Sequence, residues 1–222
     1  MRLQNKTLIV LSGGQDSATC LALATTLYDE IYTISFDYEQ RHKVELTCAE
    51  KLGFLANVKQ HFVVPISSLK YLGNSNLIGK SGNVNEVHKT NKDLPSSFVP
   101  GRNYLFLGLA AAKAYQLGIS DIYTGVCETD YSGYPDCRDN TIKAIQESLC
   151  LAMDFKFNIF TPLMWKTKAE TVLMMKELGK LDWYKYTLTC YNGKNPPCME
   201  CPSCKLRQKG FKEAGIKDPL LK

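Results

Sequence analysis

The stretch "TLIVLSGGQDSATCLALA" constrains the fold more than any other part of the chain. Thr7–Leu11 lacks the apolar–polar alternation of a half-exposed strand, so a strand here belongs in a parallel sheet covered on both faces. It runs into Ser12-Gly13-Gly14-Gln15-Asp16-Ser17 and then a helical pattern across Ser17–Tyr28. A strand that turns through glycines into a helix aims free backbone N–H groups at the strand's carboxyl edge, where an anion is favoured. Gly13 and Gly14 allow positive φ and bring no Cβ against a phosphate, while Ser12 and Ser17 offer hydroxyl donors. Asp16 is the odd member: a carboxylate beside phosphates needs a cation, which implies Mg²⁺. The lysine that follows β- and γ-phosphates in the common phosphate loop is absent. Reaction at the α-phosphate, with pyrophosphate leaving, is the simplest reading.

The same alternation continues. Strands are expected at Ile31–Phe36, His61–Ile66, Asp121–Val126 and in "FNIFTPL"; helices are expected at about His42–Leu52, Asn103–Gly118, Asp139–Ala152 and Thr167–Leu178. The fold class is therefore α/β, a doubly wound five-stranded parallel sheet of Rossmann-like type. Ligands of such sheets bind beyond the carboxyl ends of the strands, so functional residues should follow Leu11, Phe36, Ile66, Gly125 and Phe160. Two segments break the pattern. Residues 67–100 form a connection too long for an ordinary loop, of the kind that serves as a lid or is disordered. Beyond Leu181 no strand follows, only a cysteine-bearing loop and a short helix. The expected division is 1–180 for the nucleotide-binding domain and 181–222 for a C-terminal metal-binding segment.

Composition excludes several classes. The 222 residues carry a net charge of +5, with Lys and Arg scattered rather than massed in a nucleic-acid stripe. No apolar run reaches the roughly 20 residues of a membrane span, and the N-terminus looks like a first strand rather than a signal peptide. Nine cysteines in a chain that looks cytoplasmic argue against a disulfide framework. Four of them crowd into Cys190-x7-Cys198-x2-Cys201-x2-Cys204, a spacing that lets four thiolates converge on one Zn²⁺ per chain. An iron–sulfur cluster is the alternative. With four protein ligands the metal has no open position, so its role is structural.

The Ser12–Ser17 loop resembles the PP-loop of the N-type ATP pyrophosphatases, of the adenine nucleotide alpha hydrolase-like fold. These enzymes adenylate an oxygen of their substrate, and their loop holds the departing pyrophosphate. The resemblance implies ATP with Mg²⁺ bound at Leu11, Ser12, Gly13, Gly14, Gln15, Asp16, Ser17, Ala18, Thr19, Cys20 and Leu21. Three more clusters fall at strand ends: "DYEQRHKVE" (37–45), "FVPGRN" (98–103) and "GVCETDYSGYPDCRDN" (125–140). Gln40, Arg41 and His42 would sit at a helix start, and Arg102, beside Asn103, suits bidentate recognition of a carboxylate or phosphate. A purine-like ligand could stack on Tyr131 or Tyr134, with Asp130 or Asp136 accepting its N–H groups and Arg138 nearby. Asp16, Arg41 and Arg102 are the candidate catalytic residues.

With the cysteine tail, these clusters resemble the 7-cyano-7-deazaguanine synthase family of queuosine biosynthesis over about Leu8–Pro219. That resemblance implies a ligase that turns 7-carboxy-7-deazaguanine and ammonia into a nitrile at the expense of ATP. It also implies a homodimer that contacts neither nucleic acid nor membrane. A tRNA-thiolating enzyme of the same fold and a zinc-stabilised nucleotide-sensing module are the competing readings. Only three histidines are present (His42, His61, His88), and the chain has no room for a glutaminase, so ammonia is expected to enter free. One departure stands out: where the family has glycine after the second ligand, this chain has Met199. Positive φ there would cost a non-glycine residue about 1 kcal/mol, which metal binding can offset.

Overall fold

The computed structural model describes residues 5–71, 75–78, 94–129 and 134–221. Five parallel strands form one sheet in the order β3-β2-β1-β4-β5: β1 Lys6–Val10, β2 Glu30–Asp37, β3 Gln60–Pro65, β4 Asp121–Tyr123 and β5 Asn158–Phe160. Register pairs Leu8 with Tyr32 on one side of β1 and with Ile122 on the other. The helices are α1 Gln15–Leu27, α2 Val44–Leu55, α3 Arg102–Leu117, α4 Asp139–Met153, α5 Lys168–Glu177 and α6 Pro202–Glu213.

Because β-carbons alternate across a strand, neighbouring residues of β1 feed two different cores. Leu8 and Ile122 pack with Leu107, Ala110 and Ala114 of α3 and with Ile142 and Ile145 of α4. Ile9 and Tyr123 pack on the other face with α1, α2 and α5. The result is a three-layer sandwich with helices on both faces, as the continuous apolar runs require. Phe211 of α6 and Tyr184 join the second core, meeting edge to face at 5.7 Å. The cysteine tail belongs to the first: Leu188, Cys190, Cys201 and Cys204 are buried in the same cluster as Ile34 and Leu8.

The observed elements differ from expectation in three places. The fourth and fifth strands are shorter, three residues each, because the chain after Tyr123 and Phe160 leaves the sheet to build the site. The second helix begins at Val44 rather than His42 and runs through Gly53 to Leu55. The described ends of the long connection are packed rather than loose: Leu69, Leu77 and Val99 are buried in the first core. Ser97 Oγ lies 2.6 Å from the Tyr134 hydroxyl.

Candidate active site

The strand order reverses direction between β1 and β4, and a crevice at the carboxyl ends of such a pair is where doubly wound sheets bind ligands. A cavity of about 260 Å³ opens there, walled by Val10 and the loop after β1, by Thr124–Cys127 after β4, and by Arg102 at the start of α3.

The glycine loop is held by its own polar groups. Ser17 Oγ accepts from the Ser12 N–H at 3.2 Å and donates to the Gly14 carbonyl at 3.1 Å, while Ser12 Oγ accepts from the Gly14 N–H at 3.2 Å. Gly13 has φ 88°, and a Cβ there would lie 2.0 Å from the Glu45 carbonyl oxygen. The loop can therefore approach α2 only because position 13 is glycine. Gly125 serves the other flank, since a Cβ there would lie 2.9 Å from the Asp16 carbonyl carbon.

Asp16, at the first turn of α1, does not stand alone. Its two carboxylate oxygens accept from Lys168 Nζ at 2.8 and 2.7 Å. The lysine missing from the loop thus arrives from the first residue of α5, 152 positions later. Thr167 caps that helix: its hydroxyl accepts from the Glu170 N–H at 3.2 Å, and Glu170 Oε2 accepts the Thr167 N–H at 2.7 Å. This capping box holds the helix start from which Lys168 reaches inward. Sequence reasoning passed over Lys168, although "TKAE" has the capping-box spacing and follows the fifth strand, where a site residue was due. Gly210 of α6 lets the tail close behind it, since a Cβ there would fall 2.5 Å from Lys168 Cβ.

The deeper wall is aromatic and charged. The Arg102 guanidinium lies 5.7 Å from the Tyr134 ring centre. Burial works against its charge, but the Tyr38, Tyr134 and Asp136 side chains around it hold the proton firmly. His42 and Glu45 also line the cavity, with His42 Nε2 3.4 Å from Glu45 Oε2 and 3.4 Å from the Tyr38 hydroxyl. Burial, seconded by Arg102, pushes the His42 imidazole down to about 3. Burial raises the Glu45 carboxyl well above its ordinary range, against the pull of Arg102. Glu45 was not singled out from the sequence, where it is one acid in the polar run "DYEQRHKVE" with no local sign of burial. With Val44 as the first residue, Glu45 falls in the first turn and faces inward.

The other sequence candidates divide. Ser12, Gly14, Gln15, Asp16, Ser17 and His42 line the cavity, as do Arg102, Asn103 and Tyr134. Ala18, Thr19, Cys20 and Leu21 are buried inside α1, and Leu11 in the second core. Gln40 instead ties off β2, its amide donating to the Phe36 carbonyl at 3.1 Å and accepting from the Tyr38 N–H at 2.9 Å. Arg41 is half-buried and does not line the cavity, its Nη1 donating to the Asn76 carbonyl at 3.4 Å, and Arg138 is exposed at the start of α4. Asp136 sits behind the wall, where Oδ2 accepts the Asn103 N–H at 3.0 Å and Oδ1 has no partner among the described residues. Tyr131 and Asp130 lie outside the described residues.

The four tail cysteines converge, with all sulfur atoms within 4.8 Å of one another. A tetrahedral site with metal–sulfur bonds of about 2.3 Å needs sulfurs about 3.8 Å apart, and Cys198 and Cys204 stand 3.9 Å apart. The thiolate set is also prepared by donors: Cys198 Sγ receives the Cys201 N–H at 3.4 Å and the Asn192 amide at 3.4 Å. The cluster could therefore hold a metal ion. Met199 has φ 63°, the left-handed conformation expected for the turn between the second and third ligands. The site is not remote, because Thr189, Tyr191, Ser203 and Arg207 of this segment line the same cavity as the glycine loop. The Leu188 N–H donates to the Gly13 carbonyl at 3.1 Å.

A doubly wound sheet with a lysine-backed glycine loop at its switch point is the arrangement with which α/β folds hold a phosphate-bearing ligand. A solved structure described as a 4-thiouridine synthetase–RNA complex with bound ATP shares the fold, with a TM-score of 0.51 and 19% identity, covering 94% of this chain and 53% of that one. The model for "Queuosine biosynthesis protein QueC" matches residues 6–215, and the chain belongs to that family. The 7-cyano-7-deazaguanine synthase of Chromobacterium violaceum is 49% identical over 97% of this chain and 93% of its own length. That of Clostridium botulinum is 48% identical over 95% and 96%.

Proposed function

We propose that the chain is an ATP-dependent ligase that converts 7-carboxy-7-deazaguanine and ammonia to 7-cyano-7-deazaguanine in queuosine biosynthesis. The observation that carries this is one cavity that joins a pyrophosphate-type loop to a half-buried arginine and an aromatic wall. Arg102 would hold the substrate carboxylate, with Tyr134 against the deazapurine ring. The carboxylate oxygen attacks the α-phosphorus of ATP, and the N–H groups of the loop, Ser12, Ser17 and Lys168 stabilise the charge on departing pyrophosphate. Ammonia then displaces AMP to give the amide. The amide oxygen is adenylated by a second ATP, and loss of AMP with a proton leaves the nitrile.

Asp16 is the residue placed to hold Mg²⁺, which would share the pyrophosphate charge when ATP is bound. The lysine pair it already makes shows that this carboxylate sits opposite a cation. We read the cysteine site as structural Zn²⁺, with 1–180 as the catalytic domain and 181–222 as the metal-bearing segment. We also read the protein as a cytoplasmic homodimer that does not bind nucleic acid directly; among the described residues no helix is long and apolar enough to cross a membrane. A thiolating enzyme would need a thiolate in the cavity, and the candidates are unsuited to it. Burial pushes Cys137 up to about 12, and Cys127 donates to the Lys166 carbonyl at 3.2 Å.

The test is AMP formation with mass spectrometry of the products. AMP should appear only with the 7-carboxy substrate present, with two AMP per nitrile formed. No AMP with acid, ammonia and ATP together would overturn the reading. Light scattering in solution would decide the dimer.

A further inference from the structure

The proposed chemistry consumes neutral ammonia, yet at neutral pH ammonia exists almost entirely as ammonium. Some group in the cavity must take a proton. Among the described residues two carboxylates line it, Asp16 and Glu45. Asp16 is engaged on both oxygens by Lys168. Glu45 is not matched to a lysine; it is buried at 8% exposure and faces the His42 ring at 3.4 Å. His42, 4% exposed, has a ring nitrogen, Nδ1, with no partner among the described residues, while Nε2 lies near both Glu45 and the Tyr38 hydroxyl. If Nδ1 carries the ring's one hydrogen, Nε2 is a bare acceptor 3.4 Å from both the Glu45 carboxyl and the Tyr38 hydroxyl, so three acceptors meet at one edge of the ring, away from water.

We propose that Glu45, His42 and Tyr38 form an ammonium-binding site on the inner wall of the cavity, where Glu45 takes a proton and releases neutral ammonia to the acyl-adenylate. The site supplies acceptors in the kind an ammonium ion needs: a carboxylate, an imidazole nitrogen and a phenol oxygen. It is mechanically joined to the glycine loop, because the backbone oxygen of Glu45 packs directly on Gly13. The step balances. One ammonium N–H bond breaks with its electron pair left on nitrogen, and the proton bonds to a Glu45 oxygen. The freed lone pair forms the C–N bond as the acyl C–O bond to AMP breaks; AMP leaves with those electrons, and the surplus N–H proton of the new C–NH₃⁺ group passes to its phosphate oxygen, leaving the neutral amide. The groups facing Glu45 are Arg102 of α3, Tyr38 and His42 before α2, Cys48 on α2, and Tyr191 of the tail. Their combined setting favours this transfer: burial raises the carboxyl's hold on a proton, and the Arg102 cation disfavours keeping a second cation beside it. A donor and acceptor brought close in proton affinity exchange a proton most efficiently.

This inference rests on the ligase reading, and the experiment separates the two. Acid-dependent pyrophosphate release without ammonia reports adenylation alone. Glu45→Gln should keep that step, with the ATP KM within about twofold, while the KM for total ammonium rises about 10- to 100-fold, the loss of one charged hydrogen bond. In the variant that KM should also fall about tenfold per unit rise in pH from about pH 7 to 8.5, tracking free ammonia, whereas the wild type changes less. Where Glu45→Gln does not fold, His42→Gln carries the same measurements, with the same direction of change. An ammonium KM unchanged in the variant, or a pH profile parallel to wild type, would overturn the site. Loss of adenylation in the wild type would overturn the ligase reading instead.

Discussion

Lys168 shows what a single side chain can decide. It holds Asp16 of the proposed pyrophosphate loop through both oxygens, and it is largely sheltered, with 14% of its side chain exposed. Removing a preorganised donor to a developing oxyanion costs about 100- to 1,000-fold in rate. Lys168→Met should therefore lower kcat for adenylation by about 100-fold, and an intact thermal transition would show that the fold survives. The buried His42–Glu45 pair at the start of α2 makes a second residue-scale prediction, with two opposite signs. Folded His42 stays neutral down to about 3, whereas an unfolded histidine charges below about 6.5. The unfolded chain then binds more protons across that window, so stability falls as pH drops from about 6.5 towards 3. Glu45 runs the other way: above about 4.5 the unfolded carboxyl ionises before the folded one does, so stability falls as pH rises until the folded carboxyl has also become the carboxylate that takes the ammonium proton. His42→Gln should flatten the acid limb and Glu45→Gln the alkaline limb, read from urea unfolding at about pH 4, 6 and 8.

Between elements, the close packing of α6 on α5 links the metal site to catalysis. Gly210 touches Lys168, and the turn from Cys190 to Cys204 carries Thr189, Tyr191 and Ser203 into the cavity. A four-thiolate site contributes on the order of 10 kcal/mol to its own folding, so chelation should unfold this segment rather than leave an empty pocket. ATP affinity is expected to fall at least about tenfold after chelation, and to return when Zn²⁺ is restored. Calorimetric titration of ATP, alongside counting of reactive thiols, checks this. Equal ATP affinity before and after chelation would mean that the tail does not shape the site. Elements were the level at which the sequence was most readable. Every strand and helix expected from apolar periodicity is present, because burial on both faces leaves a strong, local signature. Their ends were less so: the chain leaves β4 at Tyr123, and α2 starts at Val44, for reasons that lie in neighbouring loops.

At the scale of the whole molecule, the C-terminal segment is part of two cores at once. Phe211 and Tyr184 pack with α1 and α5, while Cys190, Cys201 and Cys204 pack with β1 and β2. Arg207 ties the segment together, giving Nε and Nη2 to Asp218 at 2.6 and 2.8 Å and Nη1 to the Thr187 hydroxyl at 2.7 Å. Deleting residues 187–222 should therefore lower the melting temperature by about 10 °C or more, and size-exclusion with calorimetry would detect it. A truncated chain that melts like the full one would show instead that 181–222 is a detachable unit.

What the sequence by itself determined is whatever depends on short-range pattern. Continuous apolar runs specify a doubly covered parallel sheet, Ser12–Ser17 specifies a glycine turn from strand to helix, and four spaced cysteines specify a cluster able to hold a metal ion, with a left-handed turn at Met199. What only the tertiary structure decided is which distant groups meet. The pairing of Lys168 with Asp16, the His42 ring beside Glu45, and the cysteine tail as a wall of the candidate cavity all join residues separated by a sheet crossover or a helix start. Opposite charges and unpaired acceptors find one another through space, and no spacing along the chain encodes that distance.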